Sequence, residues 1–523
     1  MTSHALIFPD NPFDYRALVN HPKGIGKIPQ AKEGTRIAII GAGCAGLCAA
    51  WELMKIGLHP VIYESDKNPD NSPRIGGRAY TYRFPGDPKA LAELGAMRVP
   101  PVHETLCRYM DKFNLDYSKP FPDPLVVPTT LYFKGKKHFI PVGGPLPESI
   151  KKASNAWKRF IDRLLEKMAQ ASTDPGAWAR QWQEYVERFK DKSFFQVLVE
   201  QGLSKKEIDL FGSLGIGTGG FNSMFPVSFL EIFRLAALKW ETDQRLIKGG
   251  VGQIPENFWA NLRQSRYFGI TSVKALNNGR PLDAAAKIQT PDLPGEQIEI
   301  TDINGTAQFY DAVIITCSHR ALETGIKINW NAFSEDVWTA IQNIHMTRSG
   351  KIFIRTRKAF WKDAPPDTTL NCTITDEALR GTYLFDFDDT DSGVICLSYT
   401  WEDSATKLCS LSEQELLHKS LDTLKTIYGR DLISDQAEEV KTIFWEQEKG
   451  YQGAFKLNYP GQHEDQKALF LQTRPDSFEA HTGVFLSGES TSWAGGWIEG
   501  ALQSGLDAAM AVVRKLGGEI FTK

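Results

Sequence analysis

Three closely spaced glycines, Gly41, Gly43 and Gly46 in "RIAIIGAGCAGLCAAWELMKIGLHPVIYE", form the part of this chain best suited to hold phosphate. The first permits a tight turn, the second lets backbone approach a pyrophosphate, and the third allows a helix to pack close on a strand. That helix would aim its free amides and positive dipole end at the phosphates. Glu64 closes the next apolar run, where an acid hydrogen-bonds an adenosine ribose. The pattern predicts a dinucleotide site and leaves NAD and FAD open.

Two later stretches bear on that choice. In "RIGGRAYTYRF", Gly76 and Gly77 followed by Arg78 would let the chain run alongside a second, longer nucleotide. In "GVFLSGESTSWAGGWIEGALQSGLDAA", a strand leads into a turn bearing Glu489 and then a helix. Glu489 could accept from a ribityl or ribose hydroxyl, and the helix could aim its N-terminus at a flavin ring. Arg98, in "ELGAMRVPP", is suited to a bidentate pair with a carboxylate. By residue type alone, however, Arg98 reads as a surface arginine. Tyr399 in "CLSYTW" reads as a half-buried strand tyrosine, and Lys351 in "RSGKIFIRT" as a solvated lysine at the start of a strand.

The elements that must position these groups follow from hydrophobic periodicity. "RIAII" and "HPVIYE" are strands around a helix reaching about Ile56, a β-α-β unit. From Glu148 to Trp240 the apolar spacing is helical, broken by the glycine-rich "GIGTGGFNSMF", a candidate cover over a site. Strands return near Ile247: "TSVKAL", "KIQT", "QIEIT", "YDAVIIT", "GKIFIRT" and "GVICLSYTW". A Ser-capped helix over "SLSEQELLHKSLDTLKTIYG" and the closing strand-turn-helix complete the chain. The first 34 residues are expected to wrap a surface.

The 523 residues are 42% hydrophobic and 24% charged, an ordinary globular composition. A net charge of −3 gives no bulk attraction for nucleic acid or an anionic membrane, and no stretch is apolar enough to span one. The N-terminus lacks the pattern of a signal peptide. The seven scattered cysteines form no C-x-x-C pair, so a reduced, cytoplasmic protein without a structural metal is expected. Cys44 and Cys48 read as small buried residues of the first helix.

GAGCAG with Glu64, the GGR turn and "SGES…GGWIEGALQSG" together resemble the FAD-dependent amine oxidase superfamily. "FDYRALVNHPKGIGKIP", "LGAMRVP", "GIGTGGFNSMFPVSFLEIFRL", "RGTYLFD", "GVICLSYTWEDSA" and "GAFKLNYPG" resemble its bacterial branch of tryptophan 2-monooxygenases, lysine 2-monooxygenases, phenylalanine oxidases and broad L-amino-acid oxidases. The resemblance implies an α/β fold. A Rossmann-type FAD-binding domain would be assembled from discontinuous segments (35–97, 246–325 and 475–523). A mixed-sheet substrate domain (98–147 and 326–474), a helical domain (148–245) and the extension 1–34 would complete it.

It further implies that Gly41, Gly43, Ala45, Gly46 and Glu64 hold the ADP half of FAD, with Val273 pairing with adenine through its backbone. Gly77, Arg78 and Met97 would follow the flavin end, Trp445 would flank the ring, and Glu489, Trp497 and Ile498 would close the site. FAD is expected to be non-covalent, because no Cys or His adjoins the "SGES" turn. Arg98 and Tyr399 would clamp a substrate's α-carboxylate, which makes the substrate an amino acid. Lys351 would act near flavin N5, and Trp497 beside Gly495 and Gly496 would leave room for the amino group. His319 has no assigned role.

Phe221, Met224 and Phe225 make one candidate pocket wall apolar, where lysine-specific relatives place an acid at the position of Met224. The expected activity is oxidation of aromatic or large apolar L-amino acids by O2 to 2-oxo acid, ammonia and peroxide, by a homodimer. The alternative is a 2-monooxygenase giving the amide and CO2.

Overall fold

A computed structural model describes residues 8–11, 13–214, 226–291 and 295–521. The run Arg36–Ile40 is one of the two inner strands of a four-stranded parallel sheet. It pairs with His59–Tyr63 on one side and Ala312–Ile315 on the other, and Val484–Leu486 lies beyond the latter. These strands are short, uninterrupted apolar runs because both faces of the sheet are covered. The sheet therefore draws on three widely separated stretches of chain, as the discontinuous Rossmann-type arrangement requires.

Gly41 turns the chain out of its strand at φ +114°, and the helix Cys44–Lys55 begins directly after it. That helix is buried on nearly every side, including Cys44 and Cys48. The C-terminal helix Ile498–Lys515 packs against it. Gly505 makes this approach possible: a Cβ there would meet the Ala45 carbonyl oxygen at 2.6 Å.

A second, seven-stranded sheet runs in the order Ala437–Phe444, Ser349–Thr356, Thr390–Trp401, Gly381–Phe387, Cys372–Thr375, Thr129–Phe133 and Lys136–Ile140. Neighbours are antiparallel except Cys372–Thr375 with Thr129–Phe133. The register sets Lys351 directly opposite Tyr399. Amphipathic helices Glu148–Ala171, Pro175–Phe189 and Phe229–Leu238 pack their aromatic faces together, with Phe160, Phe189 and Phe229 at the centre.

The structure departs from the sequence expectation in three places. "TSVKAL" is not a strand: Val273–Leu276 is one helical turn, capped by the Ser272 hydroxyl accepting from the Ala275 amide at 3.1 Å. The extension does more than wrap a surface. Tyr15, Leu18 and Val19 enter the nucleotide-domain core, the Tyr15 hydroxyl donates to Asp507 at 2.8 Å, and Phe8 packs edge-on to Trp182. Lys351 is the third residue of its strand and is buried, because the segment through Glu93 and Gly95 covers it.

Candidate active site

A cavity of about 600 Å³ runs from the glycine turn, past the Gly77–Arg78 segment, to the seven-stranded sheet. At its first end Gly43 caps the helix Cys44–Lys55, and a Cβ on Gly43 would meet nothing within 4 Å. This is the open approach a pyrophosphate needs. Gly46 has the opposite character: a Cβ would lie 2.2 Å from the Gly41 carbonyl oxygen, so only glycine lets the helix sit this close. Glu64 is pinned by the Ala42 amide at 2.7 Å and the Asp66 amide at 2.8 Å. Burial pushes its carboxyl above the usual range, against the pull of those two amides.

Midway along, Arg78 donates to Glu489 Oε1 at 2.7 Å and to the Ala454 carbonyl at 2.8 Å. Glu489 Oε2 accepts from the Lys456 amide at 3.0 Å and the Gly496 amide at 2.7 Å. Burial alone would raise the Glu489 carboxyl; Arg78 and the two amides outweigh it and hold it below its ordinary value. Any ribityl hydroxyl at Glu489 would therefore share Oε1 with Arg78. Trp445 is fixed by its Nε1 donating to the Leu94 carbonyl at 3.0 Å. Trp497 is held edge-on by His103 and Trp240, with ring centroids at 4.9 and 5.9 Å.

At the far end Arg98 is buried inside a box of aromatic rings. Its guanidinium carbon lies 4.2 Å from the Phe121 centroid, 5.1 Å from Tyr383 and 5.8 Å from Tyr399. Nε donates to Asp123 at 3.1 Å, while Nη2 is buried without a hydrogen-bond partner. Burial would lower the affinity of Arg98 for its proton; Asp123, Tyr383 and Tyr399 reverse this and hold it above the ordinary value. Lys351 Nζ lies 4.9 Å from the Tyr399 ring and donates to the carbonyls of Glu93 at 2.9 Å and Gly95 at 2.5 Å. Burial pushes the Lys351 ammonium down to about 7 and the Tyr399 phenol up to about 12.

The cavity thus gathers Gly41, Gly43, Ala45, Glu64, Gly77, Arg78, Met97, Arg98, Lys351, Tyr399, Trp445, Glu489, Gly496, Trp497 and Ile498. Gly46 supports the turn from behind, and Val273 is fully buried off the cavity wall. Phe221, Met224 and Phe225 lie outside the described residues. Gly495 also lines the cavity; a Cβ there would lie 2.2 Å from Lys456 Cε, so Lys456 packs directly against this glycine. His319 is buried and pushed down to about 4 by that burial, hence neutral, and it does not line the cavity.

Sequence reasoning did not anticipate several site residues. Asp123, the counter-ion of Arg98, carries no motif. Glu241 lines the cavity, and Lys456 forms a buried ion pair with Glu231 at 3.0 Å. Ile232, Leu235, Trp401 and Phe455 add apolar surface to the cavity lining, with Trp401 edge-on to Tyr399 at 5.8 Å and to Phe455 at 5.0 Å. The one available signal was the helical spacing of Glu231, Ile232 and Leu235 in "PVSFLEIFRLAALKW", which puts them on one broad face.

An open glycine turn at a helix N-terminus and a boxed arginine stand at opposite ends of one cavity, carried by a Rossmann-type sheet and a second sheet. A family model for flavin containing amine oxidoreductases matches residues 44–513, and the chain belongs to that family. The glycine turn, Glu64 and the cavity beyond them fit the flavin cofactor that membership brings.

The chain is 34% identical to a tryptophan 2-monooxygenase of Pseudomonas savastanoi, across 95% of this chain and 92% of that protein. It is 31% identical to a tryptophan 2-monooxygenase of Pantoea agglomerans pv. gypsophilae (99% and 95%) and 25% identical to an L-amino-acid oxidase of Mus musculus (93% and 72%). The structure of cyclohexylamine oxidase from Brevibacterium oxydans IH-35A superposes with a TM-score of 0.69 at 17% identity, covering 92% of this chain and all 100% of that one. Among the described residues no helix is long and apolar enough to cross a membrane.

Proposed function

We propose that this enzyme is an FAD-dependent L-amino-acid 2-monooxygenase acting on aromatic or large apolar substrates. The observation that carries the amino-acid substrate is Arg98: a buried guanidinium at the substrate end of the cavity, with Nη2 unpaired. Asp123 engages Nε, but a buried donor left unpaired at Nη2 is costly, and an α-carboxylate satisfies it with Tyr399 as second donor. The long matches to tryptophan 2-monooxygenases favour amide formation over simple oxidative deamination. The 25% match to an L-amino-acid oxidase keeps deamination as the second reading.

FAD would be held non-covalently, with its ADP half at Gly41, Gly43, Ala45 and Glu64 and its ring near Lys351, Trp445 and Trp497. Cys44 and Cys317 also line the cavity, but burial pushes both thiols up to about 12, so neither is a thiolate suited to attack a flavin. When bound there, FAD would supply the two-electron oxidation of the substrate's α-carbon and the onward reaction with O2. Arg98 and Tyr399 fix the carboxylate and so set which hydrogen points at the ring. Lys351 Nζ, poised near neutrality, can hold or release a proton beside the ring.

The two outcomes differ in what the cavity retains. An imino acid kept beside hydrogen peroxide gives amide, CO2 and water, atom for atom. If both escape, hydrolysis of the imino acid gives 2-oxo acid and ammonia, and peroxide accumulates. Trp401, Phe455 and Trp497 wall the substrate end and would slow that escape. The test is product analysis after aerobic incubation with L-tryptophan, L-phenylalanine and L-leucine. Amide as the main product supports the monooxygenase. Equal 2-oxo acid and peroxide would establish the oxidase instead. Flavin that stays oxidised with every amino acid under anaerobic conditions would reject both.

A further inference from the structure

We propose that Glu241 is a substrate-binding residue: as a neutral carboxylic acid it donates a hydrogen bond to the substrate's α-carboxylate, beside Arg98 and Tyr399. The inference deepens the amino-acid reading above and rests on it.

Glu241 follows the helix Phe229–Leu238 and lines the cavity together with Arg98 and Tyr399. Its Oε2 is shut off from solvent and has no hydrogen-bond partner; Nη2 of Arg98 is in the same condition. The cavity lining therefore presents an unpaired cationic donor and an unpaired carboxyl oxygen on two residues close enough to act on each other. A buried polar atom left unpaired is costly. An incoming carboxylate satisfies both, accepting from Nη2 and from the Glu241 hydroxyl, but only if Glu241 carries its proton.

The local charge balance requires that proton. Asp123 already sits on Arg98 Nε at 3.1 Å and neutralises it. An ionised Glu241 would be a second anion on one guanidinium, and the substrate's carboxylate a third. With Glu241 neutral, the cluster has no net charge until the substrate arrives. The titratable groups that act on Glu241 are Arg98 and Asp123, and Tyr399 feels it in turn. Burial raises the Glu241 carboxyl most, Asp123 adds to this and Arg98 opposes it, leaving it at about 7. A carboxylic acid kept neutral by its site and used as a donor is an established catalytic device.

The probe is 3-phenylpropanoate, a carboxylate without the reactive amine, titrated into flavin-loaded enzyme and followed by the flavin absorbance. In wild type the Kd is expected to rise above pH 7, approaching about tenfold per pH unit if only protonated Glu241 accepts the ligand. Glu241→Gln keeps a donor at every pH, so its Kd should stay near the wild-type pH 6 value up to pH 9. Glu241→Ala should bind several-fold more weakly than wild type at pH 6, without that slope. Lys351 is unchanged in both variants, so a slope that survives in Glu241→Gln belongs to Lys351 and overturns the inference while the amino-acid reading stands. A wild-type holoenzyme that binds no 3-phenylpropanoate at any pH would overturn the Arg98 carboxylate site and the role of Glu241 with it.

Discussion

Lys351 and Tyr399 stand directly opposite each other on adjacent antiparallel strands, with Lys351 Nζ 4.9 Å from the Tyr399 ring centroid. The same Nζ holds the carbonyls of Glu93 and Gly95, just before Met97 and Arg98 in the chain. One ammonium thus ties the strand carrying Tyr399's partner to the segment that presents the arginine. Lys351→Met separates two roles. If Lys351 acts on the flavin, reoxidation of reduced flavin by O2 should slow by about 100- to 1000-fold, the range for losing one preorganised charge or donor. Anaerobic reduction by L-phenylalanine should change little. Stopped-flow absorbance distinguishes the half-reactions; slow reduction with normal reoxidation would make Lys351 a brace for Arg98 instead.

The burial of Lys351 has a pH signature. Its folded value of about 7 is depressed, whereas an unfolded lysine titrates near 10.4. Between these values the unfolded chain binds the extra proton, so this contribution to stability is present at alkaline pH and lost as pH falls through about 7. Lys351→Met never bears the charge. Its melting temperature should gain most over wild type at pH 6, and the gap should narrow toward pH 9.5. Differential scanning calorimetry of both proteins checks this, and a gap that widens with pH would show that Lys351 is charged in the fold.

Arg98 and Asp123 should behave as a unit. Arg98→Met removes the carboxylate donor and leaves Asp123 buried without its cation. Losing one partner of a desolvated pair costs about 2–5 kcal/mol, so kcat/KM should fall some 30- to several-thousand-fold while flavin stays bound. Stability should fall as well. Adding Asp123→Asn should restore stability in urea titrations and leave activity low. Recovery of activity in the double variant would mean that Arg98 serves the fold and not the substrate.

The parts of the site legible in the sequence are those built from neighbours in the chain. GAGCAG writes the turn and the helix start within six residues, and Gly43 and Gly46 have the open and the crowded surroundings that the pattern implies. Groups that act through distant partners were not legible. Nothing near Asp123 marks it as the partner of Arg98, and nothing near Gly495 says that Lys456 fills the space above it. "TSVKAL" looked like a strand because its apolar residues are few and its Ser cap is a one-residue signal. The Ser272 hydroxyl and the turn through Asn278 and Gly279, at φ +53° and +88°, make it a helical turn.

Lys456 and Glu231 join the strand pair beside Glu489 to the helical region, both of them buried. Lys456→Met should destabilise the protein by about 3–5 kcal/mol, because Glu231 is left buried and uncompensated. The double change Lys456→Met with Glu231→Leu should recover most of that loss, since two apolar groups of similar size leave no orphan charge. Chemical denaturation of wild type, Lys456→Met, Glu231→Leu and the double variant forms the cycle. A loss in the double variant equal to the sum of the two single losses would show that the pair contributes no coupling.

The last prediction concerns which amino acid is preferred. Ile232, Leu235, Trp401 and Phe455 are apolar residues of the cavity lining, and Trp401 packs edge-on to Tyr399. Of the acids lining it, Glu64 is engaged at the glycine turn, Asp66 pairs with Arg74, Glu448 stands near Asp66, Glu489 pairs with Arg78, and Glu241 lies beside Arg98, at the end proposed for the α-carboxylate. A distal ammonium on the substrate would meet apolar atoms, and stripping it of water without a partner costs several kcal/mol. L-Trp and L-Phe should therefore exceed L-Lys in kcat/KM by about 100-fold or more, the equivalent of about 2.8 kcal/mol. Leu235→Asp places an anion on the wall and should move the ratio toward L-Lys, by attraction for the cation and by penalising the apolar ring. The kcat/KM ratio of L-Lys to L-Phe in both proteins is the measurement. A wild type that already prefers L-Lys, with the preference abolished by Glu241→Gln, would place the substrate the other way round, its side chain toward Glu241 and not toward Leu235.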